Sequence, residues 1–259
     1  MKQVIDLMSR LRSRGGCPWD REQTLESLQQ YLIEECYELI DAVDSGEVER
    51  HMDELGDVLL QVVFQAQIRK EQGKFTFDDV VKTLAAKLIR RHPHIFGSEK
   101  ARTPAQVLKR WEAIKAQEKK DKGESTRSAV DGVPNRLPAL LKAQRVQARA
   151  SRVGFDWKEV EGVVAKIEEE LAEVKQAMSR RSEKELKHEI GDLLFAVVNL
   201  SRFKRISAEL ALESAVNRFV RRFKAVEARV HRKGRRVSEC SLEELEKHWQ
   251  AVKVQHGRQ

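Results

Sequence analysis

Two acidic patterns occur twice in this 259-residue chain. Glu34-Glu35-Cys36-Tyr37-Glu38 is matched by Glu169-Glu170-Leu171-Ala172-Glu173, and sixteen positions beyond the last Glu of each comes a second pair, Glu54 with Asp57 or Glu189 with Asp192. On a helix, carboxylates at i, i+3 are neighbours roughly 60° apart around the axis, and they repel unless a cation lies between them. Glu54, Asp57, Glu189 and Asp192 also sit among apolar residues, where an ionised carboxylate without a partner is costly. Oxygen-only donors select hard cations, and Mg²⁺ takes a few carboxylates and completes its shell with water and phosphate oxygens. The candidate ligands are therefore Glu35, Glu38, Glu54 and Asp57 in one set and Glu170, Glu173, Glu189 and Asp192 in the other. A solvated face is the ordinary reading of a lone Glu-x-x-Glu, and salt bridges to Lys and Arg are the other alternative. Repetition of the same spacing favours the metal.

These side chains need helices to position them. Leu28, Leu32, Ile33, Cys36, Leu39, Ile40 and Val43 form the stripe of an amphipathic helix over 25–43, and 52–68 is apolar on nearly every side, as a buried helix is. Further helices are predicted over 78–91, halted by Pro93, and over 107–117. Residues 119–138 lack apolar periodicity and carry Gly123, Gly132, Pro134 and Pro138, the composition of a linker. Beyond it the pattern returns in helices over 163–178, 186–200, 208–230 and 242–254. The expected fold class is all-α, with two tandem four-helix units, 1–118 and 139–259, joined by 119–138. If the paired helices pack antiparallel, four carboxylates converge in each unit.

The match extends to other residues. Lys87-Leu-Ile-Arg90-Arg91 parallels Arg218-Phe-Val-Arg221-Arg222, and Trp111-Glu-Ala-Ile-Lys115 parallels Trp249-Gln-Ala-Val-Lys253. Shared periodicity arises by chance but shared side chains at shared spacings do not, so an internal duplication is the simplest explanation. The composition agrees with helices: 35% charged, 41% hydrophobic, only 13 Gly and 5 Pro. A net charge of +8 suits a phosphate-rich partner without separating nucleic acid from nucleotide. Cys17, Cys36 and Cys240 are far apart and outside metal-binding pairs, so they are expected reduced. No apolar run approaches the roughly 20 residues of a membrane span, and the N-terminus lacks the apolar core of a signal peptide. A cytoplasmic protein with no membrane partner is expected.

Several segments carry a family resemblance: Gly16-Cys-Pro-Trp-Asp20, Tyr31-Leu-Ile-Glu-Glu35, Glu54-Leu-Gly-Asp57, Arg91-His-Pro-His-Ile-Phe-Gly97, Gly154-Phe-Asp-Trp157 and the second acidic set. With these the whole chain resembles the MazG-type nucleoside triphosphate pyrophosphohydrolases of the all-α NTP pyrophosphatase group, in their two-domain form. The resemblance implies attack of water on the α-phosphorus of NTPs and dNTPs, ATP among them, giving a nucleoside monophosphate and pyrophosphate with broad base specificity. It implies Mg²⁺, with Mn²⁺ able to substitute, held by Glu170, Glu173, Glu189 and Asp192, with Glu169 orienting water. Family members are homodimers and hydrolyse mainly through the second domain, so the first domain is expected to be regulatory or architectural. Basic side chains should complete a phosphate clamp, and the candidates are Arg218, Arg221 and Arg222; similar proteins often carry Lys at the first of these. Trp249 either stacks on a nucleobase or anchors the last helix. Trp19 and Trp157 are expected in the core, and His92 and His94 in a capping role.

Three rivals remain at this point. The basic run Arg232-Lys-Gly-Arg-Arg236 suits a nucleic-acid binder, but there is no recognisable nucleic-acid motif and clustered carboxylates repel a polyanion. A catalytically silent scaffold sits poorly with complete acidic sets in both units. A narrow dUTP- or dCTP-type pyrophosphatase shares the motif.

Overall fold

The computed structural model describes residues 1–121, 123 and 128–256, and among them every regular element is a helix. Residues 122 and 124–127 of the expected linker lie outside the described residues. The chain divides into two compact units, Met1–Gly123 and Glu124–Gln259.

The first unit contains α1 (Lys2–Leu11), α2 (Pro18–Glu22), α3 (Leu28–Ser45), α4 (Val48–Glu71), α5 (Phe77–Arg91), α6 (Pro93–Phe96) and α7 (Pro104–Asp121). Two residues separate α3 from α4, and Gly46 makes that reversal with φ of 72°, a left-handed value that a Cβ disfavours. The two helices therefore run antiparallel and pack together. Thr76 starts α5 with a reciprocal capping box, its hydroxyl accepting from the Asp79 amide while the Asp79 carboxylate accepts from the Thr76 amide. The core gathers Met8 of α1, Leu28 of α3, Val63 and Phe64 of α4 and Phe77 of α5.

The second unit contains α8 (Ala139–Arg152), α9 (Val160–Arg180), α10 (Glu183–Phe203), α11 (Ala208–His231), a 3₁₀ turn at Val237–Glu239 and α12 (Leu242–His256). The α9–α10 reversal is again two residues long, but a non-glycine, Arg181, takes the left-handed conformation at φ of 56°, and Ser182 caps α10 by accepting from the Glu185 amide. Val226 and Val230 of α11 and Val252 of α12 form one buried cluster.

The four-helix expectation per unit omits two helices that matter. The N-terminal helix α1 packs on α4, and α8 packs on both α10 and α11. The side-chain amide of Gln144 on α8 spans the α10–α11 corner, donating to the Ile206 carbonyl at 2.7 Å and accepting from the Ala208 amide at 3.0 Å. Gln147 donates to the Phe195 carbonyl at 2.8 Å. Each unit also has an arginine clamp. In the first, Arg12 at the end of α1 donates to both oxygens of Glu71 at the end of α4 and to the Asp20 and Gln23 carbonyls. In the second, Arg202 at the end of α10 grips Asp156, ahead of α9.

Trp19 and Trp157, expected in the core, are 50% and 46% exposed. Trp19 meets Tyr31 edge-on at 5.7 Å, and Trp157 covers Gly162, where an added Cβ would come within 2.7 Å of the indole. Both rings shield the start of an acidic helix rather than fill an interior. His92 caps α5, its Nδ1 lying 2.6 Å from the Leu88 carbonyl. No helix among the described residues is long and apolar enough to cross a membrane.

Candidate functional site: paired carboxylate clusters

Antiparallel packing of α9 on α10 brings the acidic motifs of the second unit face to face. One ligand oxygen each from Glu170, Glu173 and Glu189 lie within 4.8 Å of one another. Glu170 is 6% exposed, a burial that a carboxylate tolerates only with compensating charge. Lys166, one turn earlier on α9, supplies part of it: its ammonium is 2.8 Å from Glu170 Oε1 and 2.9 Å from Glu169 Oε1, and these contacts raise its pKa. The other Glu170 oxygen, Oε2, is buried without a hydrogen-bond partner. Desolvation, then the charge and hydrogen bond of Glu170 and the charge of Glu189, hold the Glu173 carboxyl above its ordinary pKa, against a smaller opposing effect of Lys166. Asp192 joins at the edge, with Oδ2 2.9 Å from His188 Nδ1, and His188, Glu189 and Asp192 form a second group within the same 4.8 Å limit.

The first unit repeats the arrangement in simpler form. Oxygens of Glu35, Glu38 and Glu54 lie within 4.8 Å of one another. Burial, then Asp57 and Glu38, push the Glu35 carboxyl upward, partly offset by a hydrogen bond from Gln61. Where the second unit has Lys166 the first has Tyr31, and where it has His188 the first has Asp53. Among the described residues the cation paired with this cluster is Arg50, whose Nε is 3.7 Å from Glu54. Both clusters are oxygen-rich, mutually repelling and short of positive charge, and so fit a hard divalent cation.

The expected four-carboxylate convergence is thus realised as a trio, with the aspartate alongside. Glu169 points outward, its side chain 57% exposed, held by Lys166. Among the described residues no ion pair links the α11 arginines to these carboxylates. α11 packs on α8, α10 and α12; Arg218 and Arg221 are exposed, and Arg222 is half-buried with Nε lacking a partner. Trp249 packs on the valine cluster and meets Phe219 at 5.2 Å. Sequence reading missed Lys166 and His188, although their i, i+4 spacing to Glu170 and Asp192 is a legible signal.

One asymmetry separates the units. Arg90 and Arg91, the counterparts of Arg221 and Arg222, both bind Glu118 of α7, each with a shortest contact of 2.6 Å. Hydrogen bonds from Arg91 drive the Glu118 pKa down to about 2, burial opposing and Arg90 assisting. The aligned position of the second unit is His256, and no ion pair engages Arg218, Arg221 or Arg222 among the described residues.

Comparison with known proteins places this geometry among others. The model of the MazG nucleotide pyrophosphohydrolase domain matches residues 23–96 and again 158–231, each match containing one carboxylate cluster. The chain is similar to the nucleoside triphosphate pyrophosphohydrolase/pyrophosphatase MazG of Thermotoga maritima, 50% identical over 252 residues, covering 97% of this chain and 95% of that protein. It is likewise similar to the nucleoside triphosphate pyrophosphohydrolase of Escherichia coli, 43% identical over 258 residues, covering 98% of this chain and 97% of the relative.

Proposed function

Because the chain belongs to the MazG nucleotide pyrophosphohydrolase family and is a nucleoside triphosphate pyrophosphohydrolase, we propose that it cleaves NTPs and dNTPs at the α-phosphorus with Mg²⁺, with broad base specificity and mainly through its second unit. The observation that carries the site assignment is Glu170: buried, with Oε2 unpartnered, beside Glu173 and Glu189. Bound among Glu170, Glu173, Glu189 and Asp192, Mg²⁺ would neutralise triphosphate oxygens and make the phosphorus more electrophilic. The protein's part is positioning and proton handling. Lys166 fixes the rotamers of Glu169 and Glu170, so that Glu170 holds its free oxygen inward while Glu169 stays at the solvent edge. There Glu169 accepts the proton of the water that adds to the α-phosphorus as the bond to the bridging oxygen breaks and pyrophosphate leaves. Among the described residues no ion pair engages Arg218, Arg221 or Arg222, and Trp249 meets Phe219 of α11. They are the proposed contacts for the phosphates and base.

The direct test is to incubate the purified protein with each NTP and dNTP plus Mg²⁺ and to assay pyrophosphate against phosphate. Pyrophosphate with a nucleoside monophosphate is expected across bases; phosphate with a nucleoside diphosphate would overturn the assignment, and turnover of dUTP or dCTP alone would narrow it.

The raised carboxyls make a second prediction. A carboxyl whose folded pKa exceeds its unfolded value contributes stability below the unfolded value, near 4.5, and loses it as pH rises through the folded value. Glu35 and Glu173 therefore weaken the metal-free protein at neutral pH, and a bound divalent cation removes the penalty. Mg²⁺ should raise Tm at neutral pH by an amount that shrinks as pH falls toward 4.5. An unchanged Tm with millimolar Mg²⁺ at matched ionic strength would count against both clusters as cation sites.

A homodimer is proposed from the apolar surface of α10. Ile190, Leu194, Phe195 and Val197 are each more than two-fifths exposed, with Leu194 at 52%, on the helix that carries Glu189 and Asp192. Single exposed apolar residues are ordinary, but a contiguous set on one helix marks an interaction surface. Leu194→Arg should convert the two-chain species to one chain in light scattering; a mass that is already that of one chain in the parent protein would sink the dimer.

A further inference from the structure

Two residues of the basic run Arg232-Lys-Gly-Arg-Arg236, Lys233 and Arg235, line a cavity of about 270 Å³ where the end of α11, the 3₁₀ turn and the start of α12 meet. Gly234 turns the chain between them with φ of 70°, a left-handed value that a Cβ disfavours. Lys247 and His248 of α12 add to the basic lining, and the apolar lining is Val230, which is 1% exposed, with Cys240. One acid, Glu244, also lines the cavity, but its charge is already neutralised. Arg235 donates to both of its oxygens, at 3.1 and 3.3 Å, and the Ser241 amide donates to Oε2 at 3.0 Å. The hydrogen bond from Arg235, then that from Ser241, holds the Glu244 pKa below its ordinary value, with the charge of Lys233 adding a smaller effect. Among the described residues no ion pair engages Lys233, Lys247 or His248.

We propose that this cavity binds a small polyvalent oxyanion of the inorganic diphosphate class, held by Lys233, Lys247 and His248. A lone exposed lysine is ordinarily solvated; here two from separate elements share one concavity with a histidine, and like charges so gathered favour an anion among them. The cavity falls below the roughly 300–1,000 Å³ of pockets for organic ligands, and no Phe, Trp or Tyr lines it on which a base could stack. It therefore recognises charge rather than a nucleobase. A nucleic acid carries the same phosphate chemistry but is held along an extended basic surface, whereas these groups converge on one hollow. The inference is independent of the reaction proposed at the carboxylates, although pyrophosphate is the product of that reaction.

Cys240 reports occupancy. The metal-free full chain is treated with iodoacetamide, with and without inorganic pyrophosphate at matched ionic strength, and alkylation of each cysteine is followed by peptide mass spectrometry. A bound anion covers the Cys240 thiol and disfavours its thiolate, so pyrophosphate at saturation should slow alkylation of Cys240 by about three-fold or more while Cys17, in the first unit, keeps its rate. Lys233→Gln combined with Lys247→Gln should raise the pyrophosphate concentration needed for protection by about ten-fold or more. No protection, equal protection of Cys17, or protection that survives the double substitution would overturn the site. Protection by single-stranded DNA but not by pyrophosphate would overturn the small-anion occupant in favour of a nucleic acid.

Discussion

Glu189→Ala should reduce kcat/KM for pyrophosphate release by at least about 100-fold, while Glu54→Ala at the matching position of the first unit should stay within about three-fold of the parent protein. The two residues have the same place in the two motifs, and both lie within 4.8 Å of two other carboxylates. What differs is the company. Glu189 has neighbours on both sides, Glu170 and Glu173 across the helix pair and His188 and Asp192 along its own helix, and Lys166 sets the rotamer of the buried Glu170. Around Glu54 there is no lysine at the equivalent of Lys166, and the basic pair of its unit is taken by Glu118. Loss of turnover in Glu54→Ala with retention in Glu189→Ala would reverse the proposed ranking. Equal losses in both would mean that the units act as one.

Arg12→Ala should destabilise the first unit by about 2–3 kcal/mol in denaturant unfolding. Breaking a buried ion pair by removing one partner typically costs about 3–5 kcal/mol, and the partial exposure of Glu71 reduces that. The Arg12 side chain is 8% exposed, chelates Glu71, satisfies two loop carbonyls and lies 5.4 Å from the centroid of Phe64 in the core. Burial disfavours ionised Glu71, but hydrogen bonds from Arg12 and Gln67 outweigh it and keep its pKa below the ordinary value. Glu71→Ala alone should cost less, because Arg12 keeps its carbonyl and ring contacts. A midpoint unchanged within about 0.5 kcal/mol for Arg12→Ala would show that the clamp is decorative.

The acidic helices were legible in the sequence because one periodicity encodes both of their properties. The expected stripe fixes Glu35 and Glu38 at its margin, although Leu28 alone of its members is buried while Ile33, Cys36 and Val43 are exposed, and residues spaced i, i+3 must be neighbours on any helix. The antiparallel approach was legible too, since a two-residue link between long helices permits little else. Helix α8 was harder to read. Its interior anchors are Gln144 and Gln147, whose amides bond to backbone carbonyls and an amide of α10 and α11, and hydrophobic periodicity is blind to such anchors. What the three arginines of α11 face is a different matter. Spacing orders Arg218, Arg221 and Arg222 along α11, but the rotation of α11 against α12 depends on Val226 and Val230 meeting Val252 and on Phe219 meeting Trp249. Trp19 and Trp157 were misplaced because a large ring near an apolar helix reads as core, although each is only a cover laid over a helix start.

Glu118 gives the first unit an internal competitor for anions. Any phosphate that seeks Arg90 and Arg91 sees its intrinsic affinity scaled by the fraction of molecules in which that carboxylate has swung away. With a pKa of about 2, the carboxylate is ionised at every pH a cell reaches, so acidification does not raise that fraction. Ionic strength and multivalent anions do, by screening or outbidding the contact. The contact is therefore expected to respond to salt and polyphosphate rather than to pH, and a titration at fixed pH with rising salt would trace it.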